Sequence, residues 1–319
     1  MKIVVLDGYT LNPGDISWDA MGQLGELVVY DRTPAEKIIE RIDNAEIVLT
    51  NKVNLTKDIL EKTPSVKYIG VMATGYNVVD TEYAKEIGIV VTNVPAYSTD
   101  SVAQLVFAFI LEFCHHVGEH SRVVHEGKWT KSHDFSFWDY PLIEIKNKTL
   151  GIIGFGAIGQ KVAQIACAFG MEVLCYSRTQ KPDYENENIK FAPFDDVLAK
   201  SDFISLHCPL TEETKGLINK KAISKMKEGA FLINTSRGPV INEQNVAEAL
   251  NTGRLAGLGT DVVSVEPIQV DNPLLSAKNC IITPHFAWAP KEARNRLMNT
   301  LISNIIAFIE KNPVNVVNR

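Results

Sequence analysis

Residues 148–181 read KTLGIIGFGAIGQKVAQIACAFGMEVLCYSRTQK, and this stretch decides the predicted fold. Its apolar, β-branched run at residues 150–153 has the composition of a buried parallel strand. A Gly-x-Gly-x-x-Gly pattern follows without a spacer, and apolar residues then recur at helical spacing up to Gly170. Residues 172–176 have the pattern of the next strand. The stretch therefore predicts a strand, a glycine turn, a helix and a second strand.

Each glycine of this turn has its own mechanical role. Gly154 permits the tight turn, Gly156 lets the backbone approach a pyrophosphate closely, and Gly159 lets the helix pack on its strand. The N-terminus of the helix presents free N–H groups and the positive end of its dipole to the phosphates. In this strand–helix–strand context the pattern predicts a dinucleotide site rather than a purely structural turn.

The end of the second strand bears on the choice of cofactor. A carboxylate at this place would accept hydrogen bonds from the adenosine ribose, but the chain has Ser177, Arg178 and Thr179. A neutral hydroxyl beside a guanidinium suits a 2′-phosphate. We therefore expect NADP(H) to be favoured over NAD(H). In the alternative interpretation, Arg178 stacks on adenine or stays solvated, and both cofactors are accepted.

Composition limits the class of protein. The chain has 319 residues, 45% of them hydrophobic and 22% charged, with a formal net charge of −6, which is typical of a globular protein with an ample core. Its length favours two domains. The acidic balance and the lack of basic runs argue against a nucleic-acid partner. No stretch has the pattern of a membrane span or a signal peptide, so we expect a cytoplasmic protein without a membrane partner.

Neither the cysteines nor the histidines predict a metal site. The 5 cysteines include no Cys-x-x-Cys pair, and most lie in apolar runs, so we expect reduced, buried thiols. His115, His116, His120 and His125 are clustered, but no cysteine or carboxylate joins them at ligand spacing. Solvated or helix-capping histidines are the preferred interpretation.

The N-terminal third of the chain alternates short strands and helices. Helices are predicted at residues 34–42 and 56–61, and strands at residues 2–6, 27–30, 46–50, 67–72 and 89–93. The loop at residues 73–77 follows the fourth of these strands, where open α/β sheets bind ligands. Its backbone N–H groups are suited to a carboxylate.

The rest of the chain repeats this alternation. A long apolar helix at residues 98–116 links the two parts. A helix at 242–250 and strands at 203–207, 230–234, 258–262 and 280–283 follow the glycine turn. The amphipathic segment 292–310 is expected to fold back on the first domain. We predict an α/β fold of two Rossmann-like, doubly wound parallel-sheet domains with the active site in the cleft between them: residues 1–98 with 290–319, and the inserted residues 99–289.

Three segments after strands of the second domain carry chemically useful side chains. Arg237 is suited to bidentate binding of a carboxylate, and His285 can exchange a proton near neutral pH. Glu266, placed beside that histidine, would hold its tautomer and stabilise its protonated form. With a nicotinamide, these three residues make a hydride-transfer site. Each alone has a structural interpretation as a surface charge, a turn residue or a core histidine.

The chain resembles the D-isomer-specific 2-hydroxyacid dehydrogenase family over essentially its whole length. GFGAIG, HCPLTEETKGLI, NTSRGPVIN, DVVSVEP and TPHFAWAP occur in the family's order. The resemblance implies that Arg237 binds the substrate carboxylate and carbonyl, that His285 is the acid/base and that Glu266 is its partner. It also implies a homodimer formed through the cofactor domain.

The resemblance further assigns binding residues. Cofactor contacts are implied for Gly154, Phe155, Gly156, Ala157, Ile158, Gly159, Ser177, Arg178, Thr179, His207, Cys208, Pro209, Thr214, Thr235, Ser236, Arg237, Asp261 and His285. Substrate contacts are expected from Arg237 and His285, from the carboxylate loop Ala73, Thr74, Gly75 and Tyr76, from Lys52, and from an apolar wall of Trp138 and Trp288. In related reductases an aromatic residue of this kind reaches the partner's active site, which is our interpretation of Trp138.

The ATGYNVVD and HFAWAP loops resemble the branch of glycerate dehydrogenases and hydroxypyruvate or glyoxylate reductases. We therefore expect reduction of hydroxypyruvate or glyoxylate by NAD(P)H. Other family substrates stay open at this point: 3-phosphoglycerate, D-lactate, formate or phosphite. A cofactor-sensing, corepressor-like binding protein of the same fold is the alternative from another class. Ser177 and Gln104 depart from the family's usual acidic residues, and the first departure argues against strict use of NAD.

Overall fold

The computed structural model describes residues 1–179 and 181–319, and the chain forms two compact units. The first unit contains Met1–Ser98 and Trp288–Arg319, and the second contains Thr99–Ala287. Each unit has its own parallel β-sheet and its own hydrophobic core. The chain therefore leaves the first unit once and returns to it at its C-terminus.

Two sheets contain the strands of the described residues. The strands are β1 (Lys2–Val5), β2 (Glu26–Val29), β3 (Ile47–Thr50), β4 (Tyr68–Val71), β5 (Val90–Thr92), β6 (Thr149–Ile153), β7 (Glu172–Tyr176), β8 (Ile189–Phe191), β9 (Phe203–Leu206), β10 (Ala230–Asn234), β11 (Leu255–Thr260) and β12 (Cys280–Ile282). Their orders are β2-β1-β3-β4-β5 and β12-β11-β10-β9-β6-β7-β8. All these neighbours run parallel. Both orders reverse at an inner strand, which is the doubly wound arrangement.

Helices connect the strands in both units. They are α1 (Asp19–Gly22), α2 (Ile38–Ile42), α3 (Lys57–Leu60), α4 (Thr81–Glu86), α5 (Thr99–His115), α6 (Val117–His125), α7 (Ala157–Ala168), α8 (Phe194–Lys200), α9 (Lys220–Lys225), α10 (Glu243–Asn251) and α11 (Lys291–Ile309). Short 3₁₀ turns lie at Ala35–Lys37, Trp129–Lys131, Pro182–Tyr184, Gly238–Val240 and Pro273–Ser276.

The predicted α/β class and its parallel strands are confirmed. Most predicted strand bounds lie within one residue of the observed ones. Strand β11 is an exception, because it begins at Leu255, three residues before the predicted start. Strand β8 was not predicted, because three residues with one exposed side chain carry too little of the period-2 pattern. The predicted helix at 34–42 is a 3₁₀ turn followed by the short helix α2.

Close helix packing explains the glycines inside the strands. A Cβ on Gly259 would lie 2.6 Å from Phe109 Cγ, and one on Gly257 would lie 2.8 Å from Phe113 Cε1. Helix α5 therefore rests its aromatic rings directly on β11. In the first unit, Leu297, Leu301 and other apolar residues of α11 are fully buried against the sheet. These contacts fix the strands whose C-terminal ends carry the functional side chains.

In the described part of the chain, no single helix is both long and apolar enough to cross a membrane. The consecutive helices α5 and α6 meet the criterion only when taken together, and they are bent by 54° where they join.

Candidate active site

The predicted catalytic side chains follow three adjacent strands of the second unit. Arg237 comes after β10, Glu266 after β11 and His285 after β12. These strands are neighbours in the order β12-β11-β10. Because the strands are parallel, the three segments leave the same edge of the sheet. That edge is where open α/β sheets bind ligands.

His285 and Glu266 form a hydrogen-bonded pair. Nδ1 of His285 lies 2.7 Å from Oε2 of Glu266. The two side chains are 30% and 36% exposed, so the pair is accessible from solvent. A carboxylate acceptor at Nδ1 places a proton on that nitrogen and leaves Nε2 as the ring atom that can face a ligand. The predicted pairing of these residues is present in the structure.

Asp261 holds the loop that carries His285. Its buried carboxylate accepts hydrogen bonds from the Thr283 hydroxyl at 2.6 Å and from the backbone N–H groups of Phe286 at 3.0 Å and Ala287 at 2.9 Å. Burial raises the pKa of Asp261, and these hydrogen bonds oppose that shift. His285 itself has a left-handed backbone with φ 53°. Asp261 therefore stabilises a loop conformation that most side chains disfavour.

A turn built by Asn234 presents Arg237. The side-chain oxygen of Asn234 accepts from Ser236 N at 3.0 Å, and its amide donates to Arg237 O at 3.0 Å. The exposed guanidinium of Arg237 donates one hydrogen bond, from Nη1 to Ser236 O at 2.7 Å. The guanidinium keeps further N–H groups, on a second nitrogen, for bidentate binding of a carboxylate. Sequence reasoning assigned binding roles to Arg237 and Ser236, but it gave no separate role to Asn234.

The glycine turn fits a dinucleotide. A Cβ on Gly154 (φ +97°) would lie 2.6 Å from Cys208 N, and one on Gly159 would lie 2.3 Å from Gly154 O. In contrast, nothing lies within 4 Å of a Cβ built on Gly156. Glycine at the first and third positions is thus required by packing, whereas Gly156 leaves open space before the N-terminus of α7. This is the cradle that a pyrophosphate needs.

The other residues of the turn contribute through the backbone. The Phe155 ring is 2% exposed and packs edge-on against Phe191 and Tyr184, at centroid distances of 5.1 and 5.5 Å. Ile158 is half-buried against the apolar cluster under α7. Ala157 is exposed as the first residue of the helix. Only main-chain groups of Phe155 are therefore available to a phosphate.

Ser177, Arg178 and Thr179 directly follow β7, on the same edge of the sheet as the glycine turn. Arg178 is 86% exposed, and its Nη1 lies 3.8 Å from Oε2 of Glu213. This exposed ion pair is worth little, so Arg178 is free to turn to another anion. Glu213 was not predicted, because it is 35 positions away in the sequence.

The His207 ring points into the protein. Its Nε2 lies 2.9 Å from the Ser205 hydroxyl, and burial lowers the pKa of His207 to about 3. The ring is therefore neutral at physiological pH, and the backbone of His207 and Cys208 lies against Gly154. Thr214 donates its hydroxyl to Pro209 O at 2.6 Å and shapes the following loop.

Thr235 provides a polar atom that the protein leaves without a partner. Its hydroxyl oxygen is buried and has no hydrogen-bond partner among the described residues. A buried hydroxyl of this kind is costly unless a bound molecule pairs with it. Thr235 lies directly after β10, beside Ser236 and Arg237. This observation also fits a polar ligand at the edge of the second sheet.

In the first unit, Asp7 organises the corresponding edge. Its carboxylate accepts from the backbone N–H groups of Asn51 at 2.8 Å, Lys52 at 2.6 Å and Val53 at 3.2 Å. Burial raises the pKa of Asp7, and the three hydrogen bonds lower it in turn. The exposed side chain of Lys52 therefore stands on a fixed turn. The position of Asp7 at the end of the first strand was a signal that sequence reasoning did not use.

The predicted carboxylate loop lies beside this turn. Thr74 donates its hydroxyl to Val94 O at 2.9 Å, and Ala73 O accepts from Val94 N at 3.0 Å. Gly75 and the 40% exposed Tyr76 continue the loop. Trp288 belongs to the same unit and meets Tyr97 edge-on, with ring centroids 6.5 Å apart.

The segment around Trp138 is exposed but held in place. Trp138 is 65% exposed and Phe135 is 91% exposed. Asp139 N donates to His120 Nε2 at 3.1 Å, and the Asp139 carboxylate pairs with Lys128. His120 therefore serves as a structural hydrogen-bond partner of this loop. Among the described residues, no group of three or more His, Cys, Asp or Glu side chains could hold a metal ion.

Comparisons with known proteins identify the family. Residues 107–287 match the model of the D-isomer specific 2-hydroxyacid dehydrogenase, NAD binding domain. The chain is 55% identical to a hydroxypyruvate reductase of Blautia hydrogenotrophica, over 100% of both chains. It is 40% identical to a glycerate dehydrogenase of Methylorubrum extorquens, over 99% of this chain and 98% of the relative.

Solved structures share the whole architecture. An acyclic imino acid reductase, Bsp5, in complex with NADPH and D-Arg has a TM-score of 0.85 and 33% identity, and the match covers 99% of this chain and 100% of that one. Fold, sequence motifs and full-length similarity agree, and the chain belongs to the D-isomer specific 2-hydroxyacid dehydrogenase family.

Proposed function

We propose that this oxidoreductase reduces hydroxypyruvate, and also glyoxylate, with NADPH as the favoured cofactor. The observation that carries the proposal is the hydrogen bond of 2.7 Å between His285 and Glu266 at the strand ends that also present Arg237. The 55% identical relative is named a hydroxypyruvate reductase, and the 40% identical relative a glycerate dehydrogenase. Their substrates are a 2-keto acid and the corresponding 2-hydroxy acid.

Each set of residues described above has a binding role in this proposal. The backbone of the glycine turn and the N-terminus of α7 would hold the pyrophosphate, and Thr235 would pair with a polar group of the cofactor. Asp261 would accept a hydrogen bond from the nicotinamide amide in addition to its loop contacts. The N–H groups of residues 73–76 and the Lys52 ammonium bind the substrate carboxylate. When bound, the reduced nicotinamide supplies a hydride.

His285 and Arg237 act on the carbonyl group. Arg237 binds the carboxylate and the carbonyl oxygen, so it stabilises negative charge that develops on that oxygen. His285 donates the Nε2 proton to the same oxygen, which becomes the hydroxyl of the product. The Glu266 carboxylate stabilises the imidazolium before the proton is transferred. In the reverse direction, neutral His285 accepts the hydroxyl proton.

Turnover with a panel of 2-keto acids tests this proposal. Oxidation of NADPH and of NADH is followed by absorbance with hydroxypyruvate, glyoxylate, pyruvate, 2-ketobutyrate and 3-phosphohydroxypyruvate. We expect the highest kcat/KM with hydroxypyruvate and measurable turnover with glyoxylate. A higher kcat/KM with the phosphorylated acid or with pyruvate would replace the proposed substrate, and background rates with every acid would overturn the enzymatic role.

Glu266→Gln is expected to shift the pH dependence without abolishing activity. Reduction needs the protonated imidazole, so the rate falls as pH rises through its ionisation. Glutamine keeps an acceptor for Nδ1 but removes the charge that favours the protonated form. The midpoint of this alkaline loss should therefore move to lower pH, since a neighbouring opposite charge favours the charged form of the ring. The measurement is kcat against pH with hydroxypyruvate. An unmoved midpoint contradicts the proposed role of Glu266.

Ser177→Asp combined with Arg178→Ala is expected to reverse the cofactor preference. The change introduces the carboxylate that binds a ribose diol and removes the cation that faces a 2′-phosphate. A charge-assisted hydrogen bond of this type is worth about 1.5 to 3 kcal/mol, or roughly 10- to 150-fold in kcat/KM. Steady-state kinetics with NADPH and with NADH measure the two kcat/KM values and hence the cofactor preference.

Glu213→Gln provides a matched control for this pair. It removes the carboxylate 3.8 Å from Arg178 while both residues of the pair stay in place. We expect NADPH preference to be kept or raised in this variant. The ratio to compare is kcat/KM with NADPH over kcat/KM with NADH. If this ratio changes by less than about twofold in the Ser177/Arg178 variant, Ser177 and Arg178 do not recognise the 2′-phosphate.

Trp138→Ala is expected to loosen a homodimer and widen substrate acceptance. Exposed aromatic rings on an ordered loop are typical of interface cores, and truncating such a ring often costs more than about 1 kcal/mol. We therefore expect the dimer dissociation constant to rise about tenfold or more and 2-ketobutyrate to become a better substrate. Sedimentation and steady-state kinetics are the measurements. Ile87→Ala is the control, since Ile87 is 44% exposed and belongs to the first unit. Unchanged dissociation and an unchanged substrate profile would assign Trp138 a local role.

A further inference from the structure

The loop that carries Glu266 has little apolar anchorage of its own. Residues 264–272 connect β11 to the 3₁₀ turn Pro273–Ser276. Val270 is 96% exposed and Val265 is 55% exposed. Ile268 packs against the core, but it is only half-buried. The position of Glu266 therefore depends on polar contacts at the two ends of this loop.

Glu243, the first residue of α10, binds both ends of the loop. Its Oε1 accepts from Ser264 N at 2.7 Å, and its Oε2 accepts from Asn272 Nδ2 at 3.0 Å. Asn272 also caps the following 3₁₀ turn, because its Oδ1 accepts from Leu274 N at 3.0 Å. Helix α10 buries Val246, Ala247, Ala249 and Leu250 in the core, so Glu243 projects from a rigid element.

The contact at Ser264 lies directly beside the Glu266 carboxylate. Ser264 is two positions before Glu266, and the preceding residue, Val263, donates its N–H to Glu266 Oε1 at 3.3 Å. A Cβ on Gly238 would lie 2.0 Å from Val263 C, so the backbone after Arg237 closes the other side of this segment. A shift of Ser264 therefore moves Glu266 relative to His285.

We propose that Glu243 is a positioning residue for the acid/base pair: its two carboxylate oxygens hold the loop 264–272 so that Glu266 stays on Nδ1 of His285. The proposal rests on the proposed function and adds a third carboxylate, 23 positions before Glu266, to the machinery of proton transfer. Glu243 acts only through Glu266. Its contribution should therefore disappear when residue 266 can no longer accept a hydrogen bond from Nδ1 of His285.

Both oxygens of Glu243 are needed, because each receives a different N–H donor. A glutamine at this position has one acceptor oxygen and one NH₂ group. In Glu243→Gln, either Ser264 N or Asn272 Nδ2 therefore faces another donor, and one end of the loop is released. Asn272→Asp supplies the complementary acceptor, because an aspartate can accept from the new amide while it still caps Leu274.

The first test is a double-mutant cycle measured with hydroxypyruvate and NADPH. We expect Glu243→Gln to lower kcat about tenfold and to move the alkaline midpoint of kcat in the same direction as Glu266→Gln, while the cofactor dissociation constant stays unchanged. In a Glu266→Ala background, where no side-chain oxygen is left to be positioned on Nδ1, it should have no further effect. Glu248→Gln is the control on the same helix, where the carboxylate contacts Gln244.

The second test is the exchange of the two hydrogen-bonding roles. Glu243→Gln and Asn272→Asp should each have a lower kcat than wild type. In Asn272→Asp the reason is that two carboxylates are placed together. The double variant should recover most of the wild-type kcat. Equal kcat values in Glu243→Gln and wild type would overturn the proposal. The proposal would also be overturned if the losses in kcat from Glu243→Gln and Glu266→Ala multiply in the double variant. Failure of the exchange to restore kcat in a protein of unchanged Tm would overturn it as well.

A measurement on the cofactor-free protein separates this proposal from the proposed function. The ¹³Cε1 NMR signal of His285, assigned by its loss in His285→Ala, reports the ionisation of the ring as pH is varied. Two carboxylates lie near this residue. Glu266 is hydrogen-bonded to the ring, and Asp261 accepts from backbone N–H groups of the loop. We expect both Glu243→Gln and Glu266→Gln to move the titration to lower pH. Absence of turnover by wild type would overturn only the proposed function, whereas an unmoved titration would overturn the positioning role.

Discussion

His285→Ala is expected to lower kcat for 2-keto acid reduction by about two to four orders of magnitude, the range contributed by general acid–base catalysis. The imidazole is oriented by a 2.7 Å hydrogen bond from Nδ1 to Glu266, which leaves Nε2 to donate the proton. Alanine leaves the developing alkoxide without a proton donor. The dissociation constant of NADPH, measured by fluorescence titration, should change little, because the glycine turn and α7 are unaffected.

The backbone of His285 supplies a sharper control for this variant. Its φ of 53° is accessible to asparagine more readily than to alanine. His285→Asn should therefore keep the loop conformation and the Tm better than His285→Ala, while it is equally inactive. Activity in either variant within about tenfold of wild type, well short of the range for an acid–base residue, would remove His285 from the mechanism.

Arg237→Lys is expected to lower kcat/KM for hydroxypyruvate by about two orders of magnitude, although the positive charge is kept. The planar guanidinium can donate parallel hydrogen bonds to two oxygens, whereas an ammonium group acts as a point charge. Loss of one charge-assisted hydrogen bond costs about 1.5 to 3 kcal/mol. The exposed Arg237 side chain retains N–H groups for this role, since its hydrogen bond to Ser236 O uses Nη1.

Arg122→Lys is the matched control for Arg237→Lys. Arg122 is an exposed arginine of α6 that pairs with Glu119 and Glu126. We expect wild-type kcat/KM in this control. If Arg237→Lys also stays within about twofold of wild type, a difference too small for a lost charge-assisted bond, bidentate recognition by Arg237 is wrong. Arg237→Ala then decides whether the charge itself contributes.

Much of the fold follows from local patterns in the sequence. Apolar β-branched runs of four to six residues predict buried parallel strands, and the glycine turn identifies the strand at which the second sheet reverses its order. Helix α5 was predicted within one residue at each end because its apolar face is long. Strand β8 could not be predicted, since its three residues become a strand only through pairing with β7.

From the sequence, the candidate site could be predicted only as a set of residue types. Arg237, Glu266 and His285 each follow a buried strand, and parallel strands bring such residues to one edge. The sequence could not predict how the histidine rings are held. The ring of His207 is held by Ser205 while its backbone lies against Gly154, and His120 is held by the backbone of Asp139.

The sequence by itself determined the α/β class, the glycine turn and the identity of the chemically capable side chains, because these depend on periodicity and on contacts between near neighbours. Only the tertiary structure decided how those side chains are held. Asp7 meets Lys52, Glu243 meets Asn272, and Asp261 meets Phe286 across separations of 25 to 45 positions. The physical reason is that a carboxylate wholly or partly removed from water needs N–H donors around it, and the fold alone determines which loops supply them.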